Sequence, residues 1–388
     1  MESEMKGQLD GATLCGGTRP HYHLLDGLRG VAALIVLWYH VFEGYAFAQG
    51  SDMIEVVNHG YLAVDFFFIL SGFVISYAYD SRWNNGFGLK SFAKRRLIRL
   101  HPLVVAGAVL GVITFFVQGG VQWDGTHVAT SAVMLALLCA MFMIPAIPGC
   151  TYEVRGNGEM YPLNGPCWSL FFEYIGNALY ALFIHKLPTW AVAAVTAILG
   201  ICLCWFAMGD VSGYGSLGVG WTLDNVNFWG GMLRMAFPFM MGQLIQRLFR
   251  PVKVRGAFWI CTLALVVLLH VPYLAGEWGV TANGTFECFC IILVFPALVW
   301  LAASGTTTDR WSTSVCRFVG ELSYPLYIVH YPMMYLFYAW LIRTEQYSFA
   351  ATWPVAVLVM SANIMIAYAM LRWYDKPLRR WLSRRLLA

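Results

Sequence analysis

One stretch decides how this chain folds, and at positions 25–40 it reads LDGLRGVAALIVLWYH. It leads into an apolar segment at about 30–48 that is long enough, or nearly so, to span a bilayer. Arg29 and His40 stand in this stretch, and an ionisable residue inside a membrane segment is costly enough to suggest a function. The 11 steps between them make about three helical turns plus roughly 20°, so both side chains share one helix face, about 16 Å apart. This spacing suits a long anionic cofactor lying along the helix, with its charged end at Arg29 and its reactive end at His40.

The composition is that of a polytopic membrane protein. Of the 388 residues, 59% are hydrophobic and only 12% are charged, whereas a soluble domain carries roughly 25% charged residues. The net charge of +4 comes mainly from basic loops, which are typical of the cytoplasmic anchors of membrane proteins. We therefore expect membrane lipid among the partners and no nucleic acid.

Eleven apolar stretches are candidate membrane spans, at 30–48, 60–79, 100–118, 128–147, 167–185, 188–208, 229–247, 257–275, 286–304, 318–340 and 351–371. The basic loops 80–99 and 247–256 and the basic tail are predicted to be cytoplasmic. Five apolar stretches lie between the loops 80–99 and 247–256. Because both loops are predicted on the cytoplasmic side, the chain must cross the membrane an even number of times between them, so one stretch cannot be a full crossing. The acidic loop 148–166 favours the outer face, so 100–118 and 128–147 would together supply one crossing.

The sequence thus predicts an all-α integral membrane protein, a polytopic bundle of about ten transmembrane helices with both termini cytoplasmic. Its predicted parts are a cytoplasmic N-terminal segment 1–23, a membrane domain 24–382 and a basic cytoplasmic tail 383–388. The first twenty residues lack an apolar core followed by a small-residue cleavage site, so we expect no cleaved signal peptide. The cysteines show no zinc-type spacing, and we expect no metal. Cys150 and Cys167 bracket a polar loop and allow a disulfide if that loop faces an oxidising compartment.

Two further arginines are candidate phosphate ligands. Arg96 and Arg99 stand three residues apart, on one face of a helix that enters the membrane from the cytoplasm. Guanidinium groups bind phosphate in a bidentate fork. The alternative is that the run is basic only because inner loops are basic.

Asp65 lies in an apolar run, where a buried carboxylate needs a partner. Arg29 or another cation is the candidate, and we expect Asp65 to orient that partner. In the same run, Ser71 and Gly72 are typical of close helix packing.

Glu173 and His330 also lie within apolar segments. Glu173 has three candidate roles: to orient a histidine, to pair with a buried arginine, or to bind a sugar hydroxyl. Trp168 beside it either stacks on a sugar ring or belongs to the interfacial aromatic belt. His330 is a second mid-membrane histidine, and its structural alternative is a hydrogen bond to a backbone carbonyl. For His40, similarly, the alternative is a bond to a neighbouring helix, and for Arg29 it is snorkelling to lipid headgroups.

Taken together, these runs resemble the membrane acyltransferase-3 family from about Leu24 to Leu382. The shared motifs occur in the family's order: LDGLRG at 25–30 ending in His40, DFFFILSGF at 65–73, RRLIR at 95–99, WSLFFE at 168–173, SYPLYIVH at 323–330 and DKP at 375–377. The family usually has Glu in the last motif where this chain has Asp375, so the carboxylate is shorter here.

The resemblance implies transfer of an acyl group, commonly acetyl, from cytoplasmic acyl-CoA to a hydroxyl of a cell-surface sugar or another acceptor. It also implies that Arg29 and His40 form the family's essential Arg-x10-His pair, and that Arg96 and Arg99 form its Arg-x-x-Arg motif. Some relatives carry a hydrolase-like domain after the membrane domain, and we expect none in this chain. The resemblance then implies direct transfer or handover to a separate partner.

We therefore expect an integral membrane O-acyltransferase of a bacterial inner membrane. Arg96, Arg99 and Arg29 are expected to hold the acyl-CoA phosphates, and His40 to act as a general base or an acyl carrier. Glu173 and His330 are the second candidates, for orienting His40 or the acceptor. The alternative function is a membrane transporter of a sugar or lipid-linked intermediate, which explains the buried charges but not the Arg29–His40 spacing. A third possible function is that of a non-catalytic scaffold or sensor, but such a function does not explain the ionisable groups inside the membrane segments.

Overall fold

The chain is all-helical over the residues that the computed structural model describes, which are 21–50, 58–83, 85–252, 254–274, 276–305 and 310–387. Within these ranges there is no β-strand, only three isolated β-bridges. The predicted fold class is confirmed. Most of the N-terminal segment predicted at 1–23, together with Lys253 of the second basic loop and Ala388 of the tail, lies outside the described residues.

Thirteen α-helices follow one another in the described part of the chain. They are α1 His23–Gln49, α2 Ala63–Trp83, α3 Leu89–Gln118, α4 Thr130–Met141, α5 Cys167–Leu182, α6 Thr189–Met208, α7 Asn225–Leu248, α8 Ala257–Leu269, α9 Glu277–Phe289, α10 Phe295–Ser304, α11 Arg310–Thr344, α12 Phe349–Ala369 and α13 Lys376–Leu386. The π-helical turn Cys290–Val294 joins α9 to α10, and another, Met370–Asp375, joins α12 to α13.

Seven helical segments of the described chain are long and apolar enough to cross a membrane. They are His23–Gln49, His59–Trp83, Leu89–Gln118, Cys167–Lys186, Thr189–Met208, Trp278–Ser304 and Phe349–Leu386. Helix α4 has 12 residues and is therefore about 18 Å long, too short for a hydrocarbon core of about 30 Å. Helix α4 lies in the stretch 128–147, which is predicted to supply one membrane crossing together with the stretch 100–118. The total of ten crossings stays a prediction.

Two helix pairs form the centre of the bundle, α1 with α11 and α2 with α7. The second pair is very close because glycines face backbone on both sides. A Cβ at Gly72 would overlap the carbonyl oxygen of Phe239, and one at Gly242 would overlap that of Ile69. The close packing predicted at Gly72 is therefore confirmed. Helix α1 meets α11 in the same way, since a Cβ at Gly30 would overlap the Val319 carbonyl.

This packing fixes the site. Helix α1 carries Arg29 near one end and His40 near its middle, and α11 lays His330 alongside it. The disulfide that the sequence allows is not formed, because Cys150 and Cys167 are both free thiols and Cys167 is buried at the start of α5.

Candidate active site

A large cavity opens at the end of the bundle where α3 begins, and we name it the basic cavity. Its volume is about 760 Å³, and helices α1, α2, α3, α5, α11 and α13 contribute to its wall. Arg29, Arg96 and Arg99 all line it. The three arginines that the sequence predicts to bind phosphate are thus brought together from two helices.

Two of these arginines are held by carboxylates. Arg29 Nη1 lies 3.1 Å from Asp26 Oδ1, one turn away on α1. Arg96 Nη2 donates to Glu173 Oε1 over 2.8 Å, and the Ser71 hydroxyl donates to the same oxygen over 2.7 Å. Of the three roles considered for Glu173, the structure places it as the partner of an arginine. It lines the basic cavity and is not among the residues around His40.

Arg99 differs from its neighbours. No carboxylate of the described residues lies within ion-pair distance of its guanidinium. Arg379, Arg29 and Arg96 are close enough to repel it, and Asp375 is close enough to attract it. Arg99 is exposed at the cavity lining among like charges, which is a setting in which a guanidinium group can bind an anion. The Nε atom of Arg96 is likewise buried and makes no hydrogen bond with any described residue.

A second cavity lies deeper in the bundle, and we name it the aromatic cavity. Its volume is about 280 Å³. Its polar lining includes His40, Glu43, Asn157, Glu159 and Arg234. Ten aromatic side chains complete the wall: Tyr39, Phe47, Tyr61, Trp123, Trp168, Trp221, Tyr327, Tyr331, Tyr335 and Tyr338. Such a wall offers flat apolar faces with hydroxyl or indole groups at their edges.

His40 has a carboxylate partner within its own helix. Its Nδ1 lies 2.6 Å from Glu43 Oε2, one turn further along α1. The Tyr338 hydroxyl donates to the same oxygen over 2.9 Å, and that of Tyr331 does so over 3.3 Å. A carboxylate at Nδ1 keeps the proton on that nitrogen and leaves the Nε2 lone pair to accept another.

His330 stacks beside His40. The ring centroids are 5.1 Å apart, with 30° between the planes. His330 Nδ1 lies 3.1 Å from the Leu326 carbonyl oxygen, which is the backbone bond considered as its structural alternative. Its Nε2 is buried without a partner among the described residues. The side chain lines neither cavity, and it reaches the site through the rings of His40, Tyr327 and Tyr331, which do line the aromatic cavity.

The two cavities meet at shared residues. Val64 and Tyr327 belong to the walls of both. The Tyr327 hydroxyl lies 2.7 Å from Ser169 Oγ, which lines the basic cavity. Arg29 therefore faces one cavity and His40 the other, along one face of α1, as their spacing predicts.

Asp65 pairs with Arg234, and not with Arg29. The pair is fully buried, with 2.6 Å between Asp65 Oδ2 and Arg234 Nη2. Arg234 Nη1 donates to the Val219 carbonyl over 2.9 Å, and its guanidinium carbon lies 5.1 Å from the Trp168 ring centroid. Asp65 thus fixes an arginine in the wall of the aromatic cavity. The signal in the sequence was Arg234, which stands inside the apolar stretch 229–247, whereas Arg247 ends that stretch.

The loop 142–166 supplies Glu159, the second carboxylate that lines the aromatic cavity besides Glu43. Glu159 accepts hydrogen bonds from the Tyr335 hydroxyl and from Asn157 Nδ2. Its burial raises the pKa of the carboxyl to about 7. Arg155 in the same loop is buried against Tyr335, 3.6 Å from that ring's centroid. No periodic pattern in the loop marks these residues as part of a site.

Comparisons with known proteins agree with these motifs. A family model described as an acyltransferase domain matches residues 22–372. Acyltransferase MdmB of Streptomyces mycarofaciens is 28% identical over 93% of this chain and 92% of its own length. Protein 2 in the picA locus of Rhizobium radiobacter is 33% identical over 46% of this chain and 91% of its own. Peptidoglycan O-acetyltransferase OatA of Listeria monocytogenes is 23% identical over 94% of this chain and 56% of its own.

No solved structure matches the chain. The family model nevertheless covers nearly all of it, and the motifs in the match build the walls of both cavities. The chain belongs to the acyltransferase-3 family and is an integral membrane acyltransferase.

Proposed function

We propose that this protein is an O-acyltransferase that takes an acyl group, expected to be acetyl, from cytoplasmic acyl-CoA and transfers it to a hydroxyl of a cell-surface sugar or glycoconjugate. One observation carries the proposal. The His40–Glu43 pair stands in an aromatic cavity that shares a wall with an arginine-lined cavity. Such a pair is suited to removing a proton from a hydroxyl group.

The donor fits the basic cavity. Arg29, Arg96 and Arg99 offer guanidinium groups to its phosphates. The pantetheine arm has a length comparable to the separation of about 16 Å between Arg29 and His40 along α1. The thioester then reaches the shared wall at Val64 and Tyr327, which also bounds the cavity that holds His40.

His40 is proposed as the general base. Its Nε2 takes the proton of the acceptor hydroxyl while that oxygen attacks the thioester carbonyl. The carbon–sulfur bond breaks, and the departing CoA thiolate recovers the proton from His40. Glu43, acting through Nδ1, stabilises the imidazolium that exists between these two events. This direct route requires both substrates to be bound together, and two adjoining cavities support that.

The acceptor is proposed to bind in the aromatic cavity. Aromatic faces stack on the apolar faces of sugar rings, and Glu159 with Asn157 offers polar groups for hydroxyls. One relative is named a peptidoglycan O-acetyltransferase, which supports a sugar acceptor. The basic loop 80–99 favours a cytoplasmic opening for the basic cavity, with both termini on that side of a bacterial inner membrane.

Proteoliposomes test the function. Purified protein is reconstituted, acetyl-CoA labelled in the acetyl group is added, and free thiol is measured with and without candidate glycan acceptors. An acyltransferase releases CoA and labels the acceptor in equal amounts. A transporter of sugars or lipid-linked intermediates neither binds nor consumes acetyl-CoA, and that outcome would reject the proposal.

A further inference from the structure

The basic cavity has a wall whose residues, apart from Lys376 of the DKP motif, lie outside the family motifs. Helix α13 places Lys376, Arg379, Arg380 and Arg384 on the cavity lining, together with Ser383 and Leu387. Lys376, Arg380 and Arg384 recur every fourth residue and so form one stripe along the helix. The opposite side carries Leu378, Trp381 and Leu382, none of which lines the cavity. The cationic side of this amphipathic helix is thus turned towards the protein.

Hydrogen bonds and an ion pair hold helix α13 in this orientation. Arg379 Nη2 lies 2.6 Å from Asp375 Oδ2 at its first turn. At its last turn, Lys94 Nζ on α3 donates to the Leu386 carbonyl over 3.0 Å. Just before the helix, the Tyr374 hydroxyl donates to the Pro102 carbonyl over 3.1 Å. The contacts of Lys94 and Tyr374 hold α13 against α3, the helix that carries Arg96 and Arg99.

The charges in this wall are not balanced by the described residues. Eight cationic side chains line the cavity: Arg29, Arg95, Arg96, Arg99, Lys376, Arg379, Arg380 and Arg384. Four carboxylates pair with them: Asp26, Glu173, Glu321 and Asp375. The excess is four positive charges among the described residues. No described carboxylate lies within ion-pair distance of Arg380 or Arg384.

The buried nitrogens support the same conclusion. The Nε atoms of Arg95, Arg96 and Arg379 are buried and have no hydrogen-bond partner among the described residues. Like charges four residues apart on a helix repel each other, and an anion bound between them offsets that repulsion. A nucleotide with a diphosphate and an additional phosphate monoester supplies about four negative charges near neutral pH, which matches the excess.

We propose that α13 binds the 3′-phosphate of the donor nucleotide through Arg380 and Arg384, and thereby selects acyl-CoA over donors that lack this phosphate. Arg29, Arg96 and Arg99 lie on α1 and α3, in other walls of the cavity, and are left for the diphosphate. The inference rests on the proposed function, because it takes acyl-CoA as the donor. A phosphate in a lipid headgroup has the same chemistry, so the experiment must separate the two sources.

The experiment compares acetyl-CoA with 3′-dephospho-acetyl-CoA, using the full-length protein in nanodiscs of neutral phosphatidylcholine. We expect the wild-type protein to prefer acetyl-CoA by about tenfold or more in kcat/KM, as for loss of a charge-assisted phosphate contact. The double variant R380Q/R384Q is expected to lose this preference through a higher KM for acetyl-CoA, with kcat little changed. The matched control is R385Q, since Arg385 is on the same helix but does not line the cavity.

A double variant that keeps the wild-type preference would overturn the inference, as would an equal loss in R385Q. If the defect appeared only in nanodiscs that contain anionic phosphatidylglycerol, lipid headgroups would be the ligand and the inference would be wrong. If the wild-type protein transferred acetyl from neither donor, the proposed function itself would be contradicted. Failure of the inference about α13 can therefore be distinguished from failure of the proposed function.

Discussion

His40 Nδ1 and Glu43 Oε2 are 2.6 Å apart within a single turn of α1, in the wall of the aromatic cavity. Because both groups belong to one helix, their relative position depends little on how the other helices pack. Tyr338 and Tyr331 donate to the same carboxylate oxygen and hold it in place. The pair thus has the arrangement of a base and the residue that orients it.

Glu43→Gln is the first prediction. The amide removes the negative charge that stabilises the imidazolium but keeps the shape of the side chain. We expect kcat to fall by about 10²-fold or more while KM for acyl-CoA changes little, because Glu43 does not line the basic cavity. Steady-state kinetics at varied donor concentration measures this. Glu345→Gln, an exposed position at the end of α11, is the control, and equal losses in both variants would contradict a role for Glu43.

Arg99→Gln should affect the donor instead. Arg99 lines the basic cavity and has no carboxylate partner among the described residues, so its removal costs phosphate binding and leaves no buried acid unpaired. We expect KM for acyl-CoA to rise by about tenfold or more, with a smaller effect on kcat. Arg250→Gln in the second basic loop is the matched exposed control. An unchanged KM in Arg99→Gln would remove this residue from the donor site.

The buried Asp65–Arg234 pair predicts strong coupling between two mutations. Asp65→Asn or Arg234→Met alone leaves a charge buried without its counterpart, which costs about 3–5 kcal/mol of unfolding free energy. The double variant removes both charges, and we expect it to be more stable than the sum of the single effects predicts. Thermal unfolding of purified protein in detergent measures all four forms. Additive losses would show that the two side chains do not act as a pair.

Glu159 predicts a dependence of stability on pH. Its pKa is raised from 4.5 to about 7 by burial, so the folded protein holds this proton over a range in which the unfolded chain has lost it. The contribution of Glu159 to the unfolding free energy is therefore present below about pH 4.5 and falls by about 3 kcal/mol as the pH rises to 7. Glu159→Gln should flatten this part of the profile. A variant whose unfolding midpoint follows the wild-type pH dependence would contradict the assignment.

The sequence predicts the parts of this molecule that follow from one helix at a time. The shared face of Arg29 and His40 and the spacing of Arg96 and Arg99 depend only on helical geometry. Glu43 follows from the same geometry, since a carboxylate three residues after His40 lies on that face, but the Arg-x10-His motif does not include it.

Other features depend on tertiary packing and could not be read from local pattern. Arg234 is the partner of Asp65 because glycines bring α2 and α7 into backbone contact, which sets two residues far apart in sequence against each other. Glu173 lies in the basic cavity because α5 packs beside α3. Glu159 reaches the aromatic cavity through an irregular loop whose path no hydrophobic period predicts.

The central claim is that His40 removes the proton from the acceptor hydroxyl. The most direct test is a single-turnover measurement of acetyl transfer from bound acetyl-CoA in His40→Ala, with His127→Ala, an exposed loop position, as the control. Donor binding is measured on the same preparations. We predict that His40→Ala binds acetyl-CoA like the wild type and transfers it at least about 10²-fold more slowly, whereas His127→Ala transfers normally. Transfer at the wild-type rate by His40→Ala would contradict the account.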